Sequence, residues 1–273
     1  MPQGLSSCRV SGHTLSYRRA GAGEPVVLVH GFLSHSFVWD GVIERLAPRY
    51  EAIAPDLLGC GGSDKPVDAD LGLAAHAGRL LGFLDAMGVE RAHLVGHGLG
   101  GVIALLAAAR APGRVRTLTA VNGAGYDQRA TPLVRLLASR WLPDVGLGVL
   151  RAVGPLLLRR RFAPGTSVRG GLWEGFVAPY RGADALAALR RFARDVVERD
   201  ELSTARDLLR RLTVPTTLVW GMRDPFRSFT AAEGLHQDIP GARLVRVAGA
   251  GHLVMLEAPG RLAALLEQAF ARA

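Results

Sequence analysis

Three parts of this sequence carry groups that could do chemistry. Asp224 closes the apolar run TTLVWGMRD (216–224), and His252 closes ARLVRVAGAGH (242–252). A histidine whose ring N–H is held by a carboxylate is a general acid or base with a fixed tautomer. The third part is HLVGHGLGGVIAL (93–105). Gly96, Gly98 and Gly101 fit G-x-G-x-x-G, a dinucleotide fingerprint that receives a pyrophosphate on a helix N-terminus. Gly96, Gly98 and Gly100 also fit G-x-S-x-G, a strand-to-helix turn that presents a nucleophilic serine, but with glycine in the serine's place.

These groups need a scaffold of buried strands. PVVLVHG (25–31), YEAIAPD (50–56), RAHLVGHG (91–98) and VRTLTAVNG (115–123) are near-continuous apolar runs, the pattern of strands covered on both faces. CRVSGHTLSYR (8–18) alternates like a short hairpin turning at Ser11-Gly12. Helical patterns fall at 37–47, about 71–88 and 99–111. Alternation resumes at 216–224 with a helix near 229–238, a strand in 242–252 and a final helix over 259–272. Such alternation predicts an α/β fold, a mostly parallel sheet with helices on both faces. Residues 126–200 interrupt it with Leu- and Arg-rich helical segments broken by Pro143, Pro155, Pro164 and Pro179. They predict a helical cap, inserted in a core built from residues 1–125 and 201–273.

A dinucleotide fold carries its glycines after its first strand, with an acidic residue about 20 residues further on. Here the glycines follow the third parallel-type strand, and the next strand ends in Val121-Asn122-Gly123 without an acid. No nicotinamide or flavin is therefore expected, nor any other cofactor.

Five segments, in order, resemble the α/β-hydrolase fold family. VVLVHGF (26–32) is similar to its His-Gly motif. APDLLGCGGSDKP (54–66) is similar to the loop after its fourth strand, with Cys60 where histidine is common. HLVGHGLGGVIAL resembles its nucleophile elbow. LVWGMRDPF (218–226) resembles the segment carrying its triad acid, and GAGHLVMLEAPGRL (249–262) the segment carrying its histidine. The resemblance covers nearly the whole chain outside the cap. It implies that Gly98, Asp224 and His252 stand at the places of nucleophile, acid and base. It also implies an oxyanion hole made by the backbone amides of Phe32 and Leu99, which needs no particular side chain.

A glycine at the elbow cannot form an acyl-enzyme. Cys60 lies on another loop, and nothing aims Ser34 or Ser36 at His252. Three readings follow. In the first, the protein is an enzyme that does not need the serine. His252, oriented by Asp224, acts as general base or acid while the amides hold an enolate or carbonyl oxygen. That machinery suits carbon–carbon bond formation or cyclisation, elimination, isomerisation or cofactor-free oxygenation, as in family relatives of bacterial specialised metabolism. In the second, a serine ester or lactone hydrolase has had its nucleophile exchanged for Gly98. In the third, the protein is a non-catalytic small-molecule binder, against which an intact Asp224 and His252 argue. Trp39, His97, Tyr126, Trp141, Trp173, Phe176 and Tyr180, with Phe32, predict an aromatic-lined pocket for a hydrophobic small molecule.

The composition sets the remaining bounds. With 273 residues, 49% of them hydrophobic, the chain can bury a sizeable core. Its two cysteines, Cys8 and Cys60, indicate no disulfide framework, and no Cys/His cluster has metal-site spacing. A formal net charge of +9 suits a nucleic-acid partner in principle. Yet all 33 basic residues but Lys65 are arginine, spread along the chain apart from Arg159–Arg161, beside abundant Ala, Gly and Leu. This reads as GC-rich coding, and no nucleic acid is expected. No apolar run reaches the roughly 18 residues of a membrane span, and the N-terminus lacks the pattern of a secretory leader. The expectation is a cytoplasmic protein with no membrane partner.

Overall fold

The apolar runs become one eight-stranded sheet. The computed structural model describes residues 4–123, 131–139, 143–166, 171–226 and 229–273. β1 (Ser6–Val10) and β2 (His13–Ala20) form a hairpin closed by Ser11 and Gly12, at φ 50° and 84°. Two successive positive φ values are the requirement of a tight hairpin turn, which a Ser-Gly pair meets. β3 (Glu24–Val29), β4 (Tyr50–Pro55), β5 (Ala92–His97), β6 (Val115–Val121), β7 (Thr216–Gly221) and β8 (Arg243–Val247) are mutually parallel. The order is β1-β2-β4-β3-β5-β6-β7-β8, with β2 antiparallel to β4. Because β3 and β5 are neighbours, the loops that leave their C-terminal ends emerge side by side, where open α/β sheets place their ligands.

The helices between strands are α1 (Asp40–Leu46), α2 (Leu73–Ala86) and α3 (Leu99–Arg110). After β7 come α10 (Phe229–Asp238), α11 (Val254–Glu257) and α12 (Pro259–Phe270). Strand alternation divides the core. Val27 and Val29 face a cluster with α2 and α3, whereas Val26 and Leu28 face one with α1 and α12. The expected helix over 37–47 is in fact a 3₁₀ turn, Ser36–Trp39, followed by α1. The Ser36 N–H is bound by the Asp56 carboxylate at 2.7 Å, which anchors the start of that turn to the loop after β4.

Among the described residues, six α-helices lie between β6 and β7: α4 (Pro132–Ala138), α5 (Pro143–Arg159), α6 (Leu172–Val177), α7 (Ala183–Glu198), α8 (Glu201–Thr204) and α9 (Arg206–Leu209). Pro155 does not break a helix as expected. It sits inside α5, which continues past it at the cost of one backbone hydrogen bond. Pro143 begins α5, the position where a missing N–H costs nothing. The buried Ala185, Ala188, Leu189, Phe192 and Ala193 form one face of α7. A third apolar cluster joins Leu137, Tyr180 and Leu189 of this insertion to Leu33, in the loop after β3. Among the described residues no helix is long and apolar enough to cross a membrane.

Candidate functional site

Asp224 and His252 meet at the C-terminal edge of the sheet. Asp224 lies three residues beyond β7, and His252 lies in the loop that follows β8. His252 Nδ1–H donates to Asp224 Oδ2 at 2.8 Å, which assigns the tautomer. The carboxylate is held from two other directions. Asn122 Nδ2 donates to Oδ2 at 2.6 Å, and the Phe226 N–H donates to Oδ1 at 2.7 Å. The side chains of His252 and Asp224 are 9% and 1% exposed. Burial alone would raise the Asp224 carboxyl. The hydrogen bond and charge of His252, with the Phe226 and Asn122 donors, outweigh it and hold the group below its usual range.

Asn122 went unrecognised in the sequence beyond its lack of charge. It follows β6 directly, at a positive φ of 43°, which asparagine tolerates better than most residues. Its Oδ1 accepts the Gly221 N–H at 3.0 Å while its amide nitrogen reaches Asp224. Its position at the end of a buried strand was the available signal.

Gly98 forms the turn between β5 and α3, at φ 56° and ψ −121°. This conformation is costly for any residue with a side chain. Its flanking glycines are sterically required. An ideal Cβ on Gly96 would fall on the Gly100 carbonyl, and one on Gly100 on the carbonyls of Val29 and His30. At Gly98 a Cβ would meet only Gly31 Cα, at 3.8 Å, an ordinary contact. Space does not demand glycine at 98. Leu99 opens α3, so its N–H belongs to the first turn, whose donors have no intrahelical acceptor. Gly31 lies against this turn.

His30 fixes the neighbouring loop. It is fully buried, donates from Nδ1 to the Gly31 carbonyl at 2.8 Å, and accepts the Leu57 N–H on Nε2 at 3.0 Å. Burial pushes its pKa down to about 4, so it is a neutral tether between two loops. His97 is a second brace. Its Nε2–H donates to the His252 carbonyl at 3.0 Å, and the two rings lie 4.7 Å apart between centroids. Cys60 is buried, with its thiol pushed up to about 12 by that burial, which suits packing and not nucleophilic attack.

Trp173, Phe176 and Tyr180 line a cavity of about 270 Å³ together with Leu33, Leu158 and Arg161. Arg161 connects it to the dyad, because its carbonyl accepts the His252 N–H at 2.8 Å. Phe32 packs edge-on against Phe192, at 5.3 Å. Trp39 does not line this cavity. It is fully buried in the α1/α12 side of the core, where the 3₁₀ turn directs it. Tyr126 and Trp141 lie outside the described residues.

Residues 26–265 match the Alpha/beta hydrolase family, and the chain belongs to it. Haloalkane dehalogenase 2 from Mycobacterium tuberculosis is 32% identical over 269 residues, covering 94% of this chain and 91% of its own length. A cis-3-alkyl-4-alkyloxetan-2-one decarboxylase from Shewanella oneidensis is 29% identical over 266 residues, covering 91% and 82%. The crystal structure of an alpha/beta hydrolase fold protein from Burkholderia ambifaria superposes with a TM-score of 0.88 at 27% identity, covering 98% of this chain and 99% of that one.

Proposed function

We propose that this protein is a cofactor-independent acid–base enzyme that works without a covalent nucleophile on a hydrophobic small molecule. The observation that carries this reading is the 2.8 Å His252–Asp224 hydrogen bond, with the carboxylate further held by Asn122 and Phe226, beside a turn whose central residue is glycine. Gly98 would stand where members of the family carry their nucleophile. His252 Nε2 would take a proton from a carbon next to a substrate carbonyl. The charge arriving on the carbonyl oxygen would be met by the Phe32 and Leu99 amides. Asp224 would stabilise the imidazolium until the proton returns to product. Such a cycle performs cyclisation by carbon–carbon bond formation, elimination or isomerisation. A relative named as a decarboxylase supports a reading beyond ester cleavage, and the mostly apolar lining of the cavity, interrupted by Arg161, Glu174 and Arg181, supports a hydrophobic substrate.

The test supplies the protein with metabolite extract from a strain lacking its gene and follows the compound consumed. His252→Ala removes the proton carrier, so turnover should fall by roughly 10²–10⁴-fold with binding retained. Asp224→Asn should fall comparably or less. Wild-type turnover in both variants would sink the proposal. The room at Gly98 favours one second reading, a serine hydrolase whose nucleophile has been exchanged. A serine codon at position 98 in the native gene would establish it.

A further inference from the structure

We propose that Glu257 is a positioning residue for His252, which locks the backbone of the histidine loop to the end of the segment lining the cavity. This rests on the reading of His252 as the proton carrier. Glu257 ends α11, five residues after the histidine. Its Oε1 and Oε2 each accept the Gly251 N–H at 3.0 Å. Oε2 also accepts the Ala163 N–H at 2.8 Å and the Thr166 hydroxyl at 3.5 Å. The next N–H in the loop, that of His252, donates to the Arg161 carbonyl at 2.8 Å.

Two successive peptide groups of the loop are therefore tied to 161–163, one directly and one through a carboxylate. The approach is backbone on backbone. An ideal Cβ on Gly251 would lie 2.6 Å from the Ala163 nitrogen and 2.8 Å from the Arg161 oxygen, so only glycine permits it. Hydrogen bonds from N–H groups to an ionised carboxylate are roughly twice as strong as neutral ones. Asp224 fixes the tilt of the imidazole through Nδ1, but one hydrogen bond to a ring does not fix where the ring sits. Glu257 adds a constraint on the preceding peptide group, beside those that His97 and Arg161 place on the His252 main chain. Leu158 and Arg161 line the cavity, and the segment they belong to is the one that Glu257 joins to the histidine loop.

The experiment uses the full chain, labelled with ¹⁵N and without ligand. It reads the low-field Nδ1 proton of His252, the pH titration of its ring, and amide hydrogen exchange. In the wild type the Gly251 and Ala163 amides should exchange together, because one carboxylate holds both. Rates differing by more than about a hundred-fold, close to 3 kcal/mol, would overturn the clamp without any variant. Glu257→Gln preserves shape but removes the carboxylate's charge, and it sets an NH₂ group against the Gly251 N–H when its remaining oxygen takes the Oε2 place. It should speed exchange of both amides at least roughly ten-fold, shift or broaden the low-field proton, and move the ring's titration midpoint. A purely structural glutamate would lower the melting temperature and leave the His252 signals unmoved, which would refute the proposal. Asp224→Asn separates the two failures. If it moves the His252 signals and Glu257→Gln does not, only the clamp is wrong. If Asp224→Asn leaves them unmoved, the dyad reading fails and the clamp falls with it.

Discussion

An alanine at position 96 or 100 would drive its methyl group into backbone carbonyls, whereas a side chain at 98 meets nothing closer than 3.8 Å. Position 98 is therefore decided by chemistry and backbone conformation, not by room. Gly98→Ser should fold, at a cost of about 1–3 kcal/mol for a non-glycine residue at φ 56°. It should also gain hydrolysis of p-nitrophenyl acetate, since His252 and the amides of Phe32 and Leu99 would already be placed. A folded variant with no such hydrolysis would mean that His252 does not reach the turn. Asp224 and His252 were legible because each ends or follows a strand in a recognisable order. Asn122 and Glu257 were not, because each reaches a group far away in sequence, Gly221 at 99 residues and Ala163 at 94, even though Glu257 also binds the nearby Gly251. No local pattern encodes such partners.

Elements were most legible where burial forces a simple period. A strand covered on both faces must be apolar throughout; β4, β5 and β6 fall within the runs that predict them, and β3 begins one residue before its run, at Glu24. The insertion was legible only as helical. Proline is a poor boundary marker when it can sit inside a helix, as Pro155 does. The short α8 and α9 carry too few residues to show a period. The polar part of α7's docking was likewise invisible, because it joins one buried carboxylate to a partner 124 residues away. Asp195 accepts the Leu71 N–H at 3.0 Å and the Arg191 guanidinium at 3.1 Å. Asp195→Ala would leave the Leu71 donor buried without a partner, at a cost of about 1–3 kcal/mol. Urea unfolding should show that loss, while the Nδ1 signal of His252 stays in place. A neutral effect on stability would mean that α7 is held by its apolar face alone. The turn at β5–α3 makes a sharper demand. Gly100→Ala should yield little folded protein, because the displaced groups are the main chain of β3 and its loop.

For the molecule as a whole, the core carries buried histidines whose neutral form the fold favours, and this weakens it in acid. His30 and His76 are fully buried, and burial pushes their pKa values down to about 4 and about 3. His30 is satisfied by Gly31 and Leu57. His76, on α2, packs its ring at a tilt against Phe192 at 4.9 Å, and neither of its ring nitrogens has a hydrogen-bond partner among the described residues. Arg79 and His30 disfavour its charged form further, and Asp70 favours it less strongly. An unfolded histidine protonates near 6.5. Between about pH 6.5 and pH 4 the unfolded chain thus binds protons that the folded chain refuses. Stability must fall as pH falls through that window, by up to about 1.4 kcal/mol per pH unit for each group. At pH 5 the two histidines together cost on the order of 4 kcal/mol relative to neutral pH. His35 and His93, also shifted down by burial, act in the same direction. Asp224, held below the usual carboxylate range, adds to the loss only below about pH 4. Urea unfolding between pH 7 and pH 5 should show this slope with an unchanged m-value. His76→Phe keeps a ring against Phe192 and removes the titrating nitrogens, so it should flatten the slope by about one group's share. Its stability at pH 7 is a separate question of fit, so the slope is the quantity to read. An identical slope in the two proteins would show that His76 either opens to water before it protonates or is charged already, and that the weakening in acid arises elsewhere.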